Sequence, residues 1–145
     1  MSILAYRFPP AAATAILLLT TSTVRAETFI CSNPKDYGGK EVGDGQCVAF
    51  VQMAAGAPRT SDWKQGKKVR GNEIPLGTAI ATFKDGKYSN NATGNHAAIY
   101  DGQDKEGIWV WDQWKGQPVH RRHIKFRGGK GSSSNDGDAF SVIER

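Results

Sequence analysis

The chain has 145 residues, with 19 basic and 14 acidic side chains and a formal net charge of +5. That length supports one domain with one modest core and excludes a multidomain assembly within the chain. The positive excess suits an anionic surface but is too small to argue for nucleic acid, and no segment after the first 26 residues is apolar enough to span a bilayer.

The first 26 residues read as a secretory signal peptide. Arg7 supplies a short positive region, residues 11–24 are apolar around Ile16, Leu17, Leu18 and Leu19, and Val24 and Ala26 occupy the positions a signal peptidase reads. The apolar run is too short to serve comfortably as a membrane anchor. Thr28, Phe29 and Ile30 before Cys31 do not make a lipidation site. The expected mature domain is 27–145, with 17 basic and 14 acidic residues. It would be exported: extracellular, or periplasmic in a Gram-negative source.

Residues 32–43 read as an irregular lead-in. A helix is expected over 46–55, with Asp44 as N-cap and Gly56 and Pro58 ending it; Cys47, Phe50, Val51 and Ala54 fall on one face. A short turn or helix is expected over 62–67. Strands follow at 76–83, closed by the turn Lys84-Asp85-Gly86-Lys87, and at 96–100, 108–114, 119–126 and 139–143. The strands at 96–100 and 108–114 read as a hairpin, and 127–138 reads as a flexible loop. One helix before a run of antiparallel strands predicts an α+β fold with the helix packed on the sheet.

Only two cysteines occur, Cys31 and Cys47. In an oxidising compartment the plain reading is one disulfide, which would block a thiolate. The competing reading places Cys47 in the first helical turn, where unpaired N–H groups and the helix dipole favour a negative sulfur. A thiolate there is a nucleophile, and the backbone N–H groups of Cys47 and Gln46 are candidates to hold an oxyanion. His96 opens a strand after Gly94-Asn95 and is the candidate base; its bland alternative is a structural histidine. Asp112, on the hairpin partner, can orient the imidazole or be an ordinary exposed acid. Gln113 points to the opposite face. Trp111, with Trp109 and Trp114, can line a substrate groove, although core packing explains at least one of the three. His120 and His123 lie among Arg121, Arg122, Lys125 and Arg127; His-x-x-His is a weak zinc signal, and the run reads as a solvated basic strand face. Asn91-Ala92-Thr93 is a glycosylation sequon, relevant only in a eukaryotic source.

The segment Gly43-Asp44-Gly45-Gln46-Cys47-Val48-Ala49-Phe50-Val51-Gln52 resembles the nucleophile motif of CHAP and NlpC-type cysteine amidases. Gly94-Asn95-His96-Ala97-Ala98-Ile99-Tyr100 resembles their histidine motif, and Ile108-Trp109-Val110-Trp111-Asp112-Gln113-Trp114 looks like the strand that follows. The three come in the family's order across about residues 37–126. More closely, the chain resembles the second family of type VI secretion amidase effectors and their domesticated relatives in animals. The resemblance implies a minimal papain-like fold that cleaves peptide crosslinks of bacterial peptidoglycan, favouring the diaminopimelate–D-alanine bond. It carries nucleophile and base to Cys47 and His96, with Asp112 third; Gln46, Trp111 and Gln113 stand as oxyanion or substrate-binding candidates. The implied mechanism needs no metal or cofactor. A monomer is expected, and a cognate immunity protein only for a bacterial source. A signal peptide departs from injected effectors, which normally lack one. The rivals are a wall-binding module stapled by a Cys31–Cys47 disulfide, and a toxin-like or inhibitory protein using the basic strand alone.

Overall fold

A computed structural model describes residues 10–11, 15–20 and 22–145. Half of the expected leader, Arg7 included, lies outside the described residues; Ile16 to Leu19 and Val24 are exposed, in no regular element. Among the described residues no helix is long and apolar enough to cross a membrane.

One α-helix, α1 (Cys47–Ala55), packs on a sheet of six strands: β1 (Lys64–Lys68), β2 (Ala79–Thr82), β3 (Ala97–Gln103), β4 (Gly107–Trp114), β5 (Gln117–Lys125) and β6 (Phe140–Glu144). The order across the sheet is β1-β6-β2-β3-β4-β5, every neighbour antiparallel. The α+β architecture expected from the sequence is the one observed.

Both faces of the sheet are buried, because alternate residues of each central strand are apolar on opposite sides. One face carries Ala79, Ala81, Ala97, Ile99, Val119 and Ile143 against Phe50 and Val51 of the helix. Alanines at three of those positions let the helix lie close to the strands beneath it. Phe50, fully buried, contributes about 2–3 kcal/mol by leaving water. The other face carries Ile80, Ala98, Ile108, Val110, Ile124, Phe140 and Val142, covered by Val69, Ile74 and Phe126.

Three expectations change. Residues 62–67 do not form a helix. A single 3-10 turn (Thr60–Asp62) leads into β1, an edge strand in which Lys64 pairs with Glu144 and Gln65 with Ile143. Its sequence, Lys-Gln-Gly-Lys-Lys, has no apolar periodicity, so only the exposed backbone edge of β6 determines its conformation. Asp44 is not the N-cap. Gln46 occupies that position in extended conformation, while Asp44 Oδ1 accepts the Gln46 N–H at 2.9 Å in the turn before it. Residues 127–138 hold two 3-10 turns (Ser133–Asn135 and Gly137–Ala139). They are tied together by buried Asp136, whose carboxylate accepts from the backbone N–H groups of Arg127, Gly129 and Asp138.

Candidate active site

The helix start is built by the chain before it. Val42 and Gly45 close a turn, and Gly45 adopts φ +82, a left-handed conformation that favours glycine. Gln113 fixes this turn to the sheet from below. Its Oε1 accepts from Val42 N–H at 2.9 Å, and its Nε2 donates to the carbonyls of Val42 (2.7 Å) and Gln46 (2.9 Å). Gln113 is wholly buried, so it holds Cys47 in place from beneath. As the first helical residue, Cys47 has a backbone N–H with no partner inside the helix. The Gln46 N–H, by contrast, is taken by Asp44, which leaves only the Gln46 side chain on the cleft.

His96 stands immediately before β3. Its backbone is gripped by Thr82 of β2: His96 N–H donates to Thr82 Oγ1 at 3.0 Å, and Thr82 N–H donates to the His96 carbonyl at 3.0 Å. Its Nε2 lies 2.7 Å from Asp112 Oδ2, which leaves Nδ1 for the sulfur. The β3–β4 register, Ile99 opposite Trp111, brings the imidazole and the carboxylate side by side across the hairpin.

The electrostatics follow from burial and neighbours. Burial pushes the Cys47 thiol up, but the His96 imidazole beside it, the Ala97 backbone N–H and the Tyr88 hydroxyl outweigh that and hold it below its ordinary value. Burial pushes His96 down, yet its hydrogen bond to Asp112 and the adjacent Cys47 sulfur raise it from 6.5 to about 9. Each group thus favours the charged form of the other, a thiolate beside an imidazolium.

Asp112 is fully buried and surrounded by nitrogen. Besides His96, its Oδ2 accepts from Arg122 Nε at 2.7 Å. Its Oδ1 has no hydrogen bond, and the nearest base is His120 Nδ1 at 3.7 Å, itself without a partner. The expectation of a solvated basic face on β5 therefore holds for only half of that strand. Ile124 faces the core, so the period of two turns His120 and Arg122 toward the same side, onto Asp112, while Arg121 turns outward to Asp101. That alternation was readable in the sequence, given Ile124 as the apolar marker.

Tyr88 carried no sequence signal. It follows the turn at Lys84–Lys87, and only folding brings its hydroxyl to 3.8 Å from Cys47 Sγ. Asn95 Nδ2 donates to the same oxygen at 3.1 Å, so the Tyr88 hydrogen is free to point at the sulfur. Burial and the neighbouring sulfur raise the phenol well above its ordinary value, keeping it a donor.

Cys47 and His96 open onto a cleft of about 850 Å³, walled by Gln46, Tyr88, Asn95, Trp114, Arg122 and the 132–135 turn. Asn91 of the sequon lies on its rim. Trp114 stands edge-on to both His96 and His120 and is 41% exposed, a tryptophan available to a ligand. Trp111 lies elsewhere: it packs on the helix-side core and lines a separate small depression with Asp101 and Pro34. Trp109 lies on the outer face under the Arg121 guanidinium. Cys31 and Cys47 are both free thiols; Cys31 is buried, its backbone paired with Gly77, so the disulfide of the module reading does not form.

The sequence profile of the domesticated amidase effector 2 family matches residues 18–143. The chain belongs to that family. It is 43% identical over 112 residues to a type VI secretion amidase effector 2 protein of Salmonella typhi, covering 68% of this chain and 84% of the relative. It is 39% identical over 138 residues to domesticated amidase effector 2 of Ixodes scapularis, covering 90% of this chain and 94% of that one. The solved structure of a type 6 secretion amidase effector 2 superposes with a TM-score of 0.71 at 37% identity, over 80% of this chain and 94% of that chain. In this family member the helix-on-sheet arrangement is thus shared with an amidase effector of known structure.

Proposed function

We propose that this chain is an exported cysteine amidase that cuts peptide bonds of bacterial peptidoglycan, with Cys47 as nucleophile, His96 as base and Asp112 as its orienting acid. The observation that carries the reading is the thiol of Cys47, at a helix N-terminus, beside an imidazole that is itself bonded to a buried carboxylate, with sulfur and imidazole open to one cleft. Relatives described as amidase effectors support the bond type. Residues 1–26 act as the export leader, and the diaminopimelate–D-alanine crosslink is the bond expected to be cut.

The chemistry is acyl transfer. The Cys47 sulfur, its proton on His96, attacks the amide carbonyl carbon and forms a C–S bond. The carbonyl oxygen becomes an oxyanion, within reach of the Cys47 N–H and of the Tyr88 hydroxyl, which takes the place the sequence gave to the Gln46 N–H. His96 passes its proton to the leaving amine as the C–N bond breaks. Water, deprotonated by His96, then cleaves the thioester, releasing a carboxylate and returning the thiol. Cys47→Ala is expected to fold, to bind wall peptides and to release no product, read by mass analysis of digested wall fragments. Cleavage at the wild-type rate by that variant overturns the mechanism.

A further inference from the structure

The Arg122 guanidinium has five N–H donors, and only Nε makes a short bond, to Asp112 at 2.7 Å. Its outer nitrogens reach neutral acceptors at the limit of bonding, Asn135 Oδ1 at 3.4 Å and the Ser134 carbonyl at 3.5 Å. Both are longer than ordinary N–H···O bonds, so the outer fork is underused. That fork lies on the cleft wall beside Trp114 and the 132–135 turn, the guanidinium carbon 5.2 Å from the Trp114 ring centre. Among the described residues lining the cleft, Arg122 is the only Lys or Arg. The one other base on that wall, His96, is already engaged with Asp112 and Cys47. Asp44, the cleft's only acid, has Oδ1 held by the Gln46 N–H.

A planar fork of this kind matches a carboxylate, which accepts two parallel N–H bonds, far better than a neutral amide. We propose that the outer face of Arg122 is the anchor for a free carboxylate of the substrate, so that the enzyme selects peptides bearing a carboxylate near the bond cut. The proposal rests on the cysteine amidase reading above, because wall peptides supply such carboxylates. It also makes Arg122 bifunctional: Nε holds the acid that orients His96, and the other end reads the ligand. The 132–135 turn would yield its two long hydrogen bonds to the incoming carboxylate.

The test crosses a substrate change with a residue change. Two probes are prepared from one crosslinked tetrapeptide dimer, the first with all carboxylates free, the second with every carboxylate converted to the amide. Binding is measured by calorimetry on Cys47→Ala and on Cys47→Ala with Arg122→Gln, so that no result depends on turnover. Cys47→Ala should prefer the carboxylate probe about ten-fold to a hundred-fold, the range of a charge-assisted bond. The double variant should bind both probes within about two-fold. Arg122→Lys, which keeps the charge but not the fork, should retain part of the preference. Equal binding of the two probes by Cys47→Ala, or an unchanged preference after Arg122→Gln, overturns the anchor and leaves Arg122 as a partner of Asp112 alone. If the wild-type chain cuts neither probe and Cys47→Ala binds neither, it is the amidase reading that fails.

Discussion

Replacing Asp112 by Asn changes the charge at the centre of the site and almost nothing of its shape. The rise of His96 from 6.5 to about 9 corresponds to about 3 kcal/mol in favour of the imidazolium. That preference is achieved against burial, by the Asp112 hydrogen bond and the Cys47 sulfur together. Asparagine keeps one acceptor oxygen for Nε2 but no charge, so a loss on the order of 2 kcal/mol is expected. The sign is fixed by the chemistry. His96 holds its proton less tightly, so the alkaline limb of kcat/KM, where the imidazolium is lost, moves down from about 9 to about 7.5. Cys47, deprived of a full imidazolium, moves up toward 9.0, so the acid limb shifts the other way. The two limbs close on each other, and at pH 8 the rate falls on the order of 30-fold. Alkylation by iodoacetamide reads the thiolate without any substrate, in a Cys31→Ala background so that a single thiol reports. Chemical unfolding in parallel checks that the variant folds. Alkylation and rate profiles with the wild-type midpoints would refute the claim that Asp112 holds the imidazolium in place.

Gln113→Leu removes three hydrogen bonds, two of them buried, and strands the Val42 N–H, while the Val42 carbonyl keeps the Gly45 N–H, so urea unfolding should show a loss of about 1–3 kcal/mol. The mobile helix start should lower kcat more than it raises KM. Tyr88→Phe keeps the ring against Trp63 and loses only the hydroxyl; steady-state kinetics should show kcat/KM about five-fold to thirty-fold lower with unfolding midpoints unchanged. Gly77→Ala would place a Cβ 2.1 Å from the Cys31 carbonyl oxygen at φ +87, and thermal unfolding should report more than about 3 kcal/mol lost.

The site was partly legible because a few of its features are local. A glycine-rich turn before an apolar helical face places Cys47 at a helix start, whatever the rest of the chain does. The hairpin of β3 and β4 makes His96 and Asp112 neighbours by register, and the strand period sends Gln113 to the opposite face. Gln113 nevertheless appeared in the sequence as a substrate contact, whereas the structure buries it beneath the helix start. Nothing in Lys-Gln-Gly-Lys-Lys announced a strand, since β1 exists only because β6 offers it an edge. Trp109 and Trp111 share one face of β4 and Trp114 falls on the other, yet only tertiary packing sends the first outside, the second to the core and the third to the cleft.

By itself the amino-acid sequence determined an α+β fold and the order of the helix and five of the six strands, because periodicity and turn chemistry act over a few residues; the pairing of Cys47 with His96 came from the resemblance of their motifs to a family. The tertiary structure alone decided that Tyr88 meets the sulfur, how closely Arg122 and His120 approach Asp112, and that Cys31 stays apart. Those contacts join residues 8 to 41 positions distant in sequence or segments on separate elements, and no local preference encodes a distance that depends on how the whole sheet is ordered.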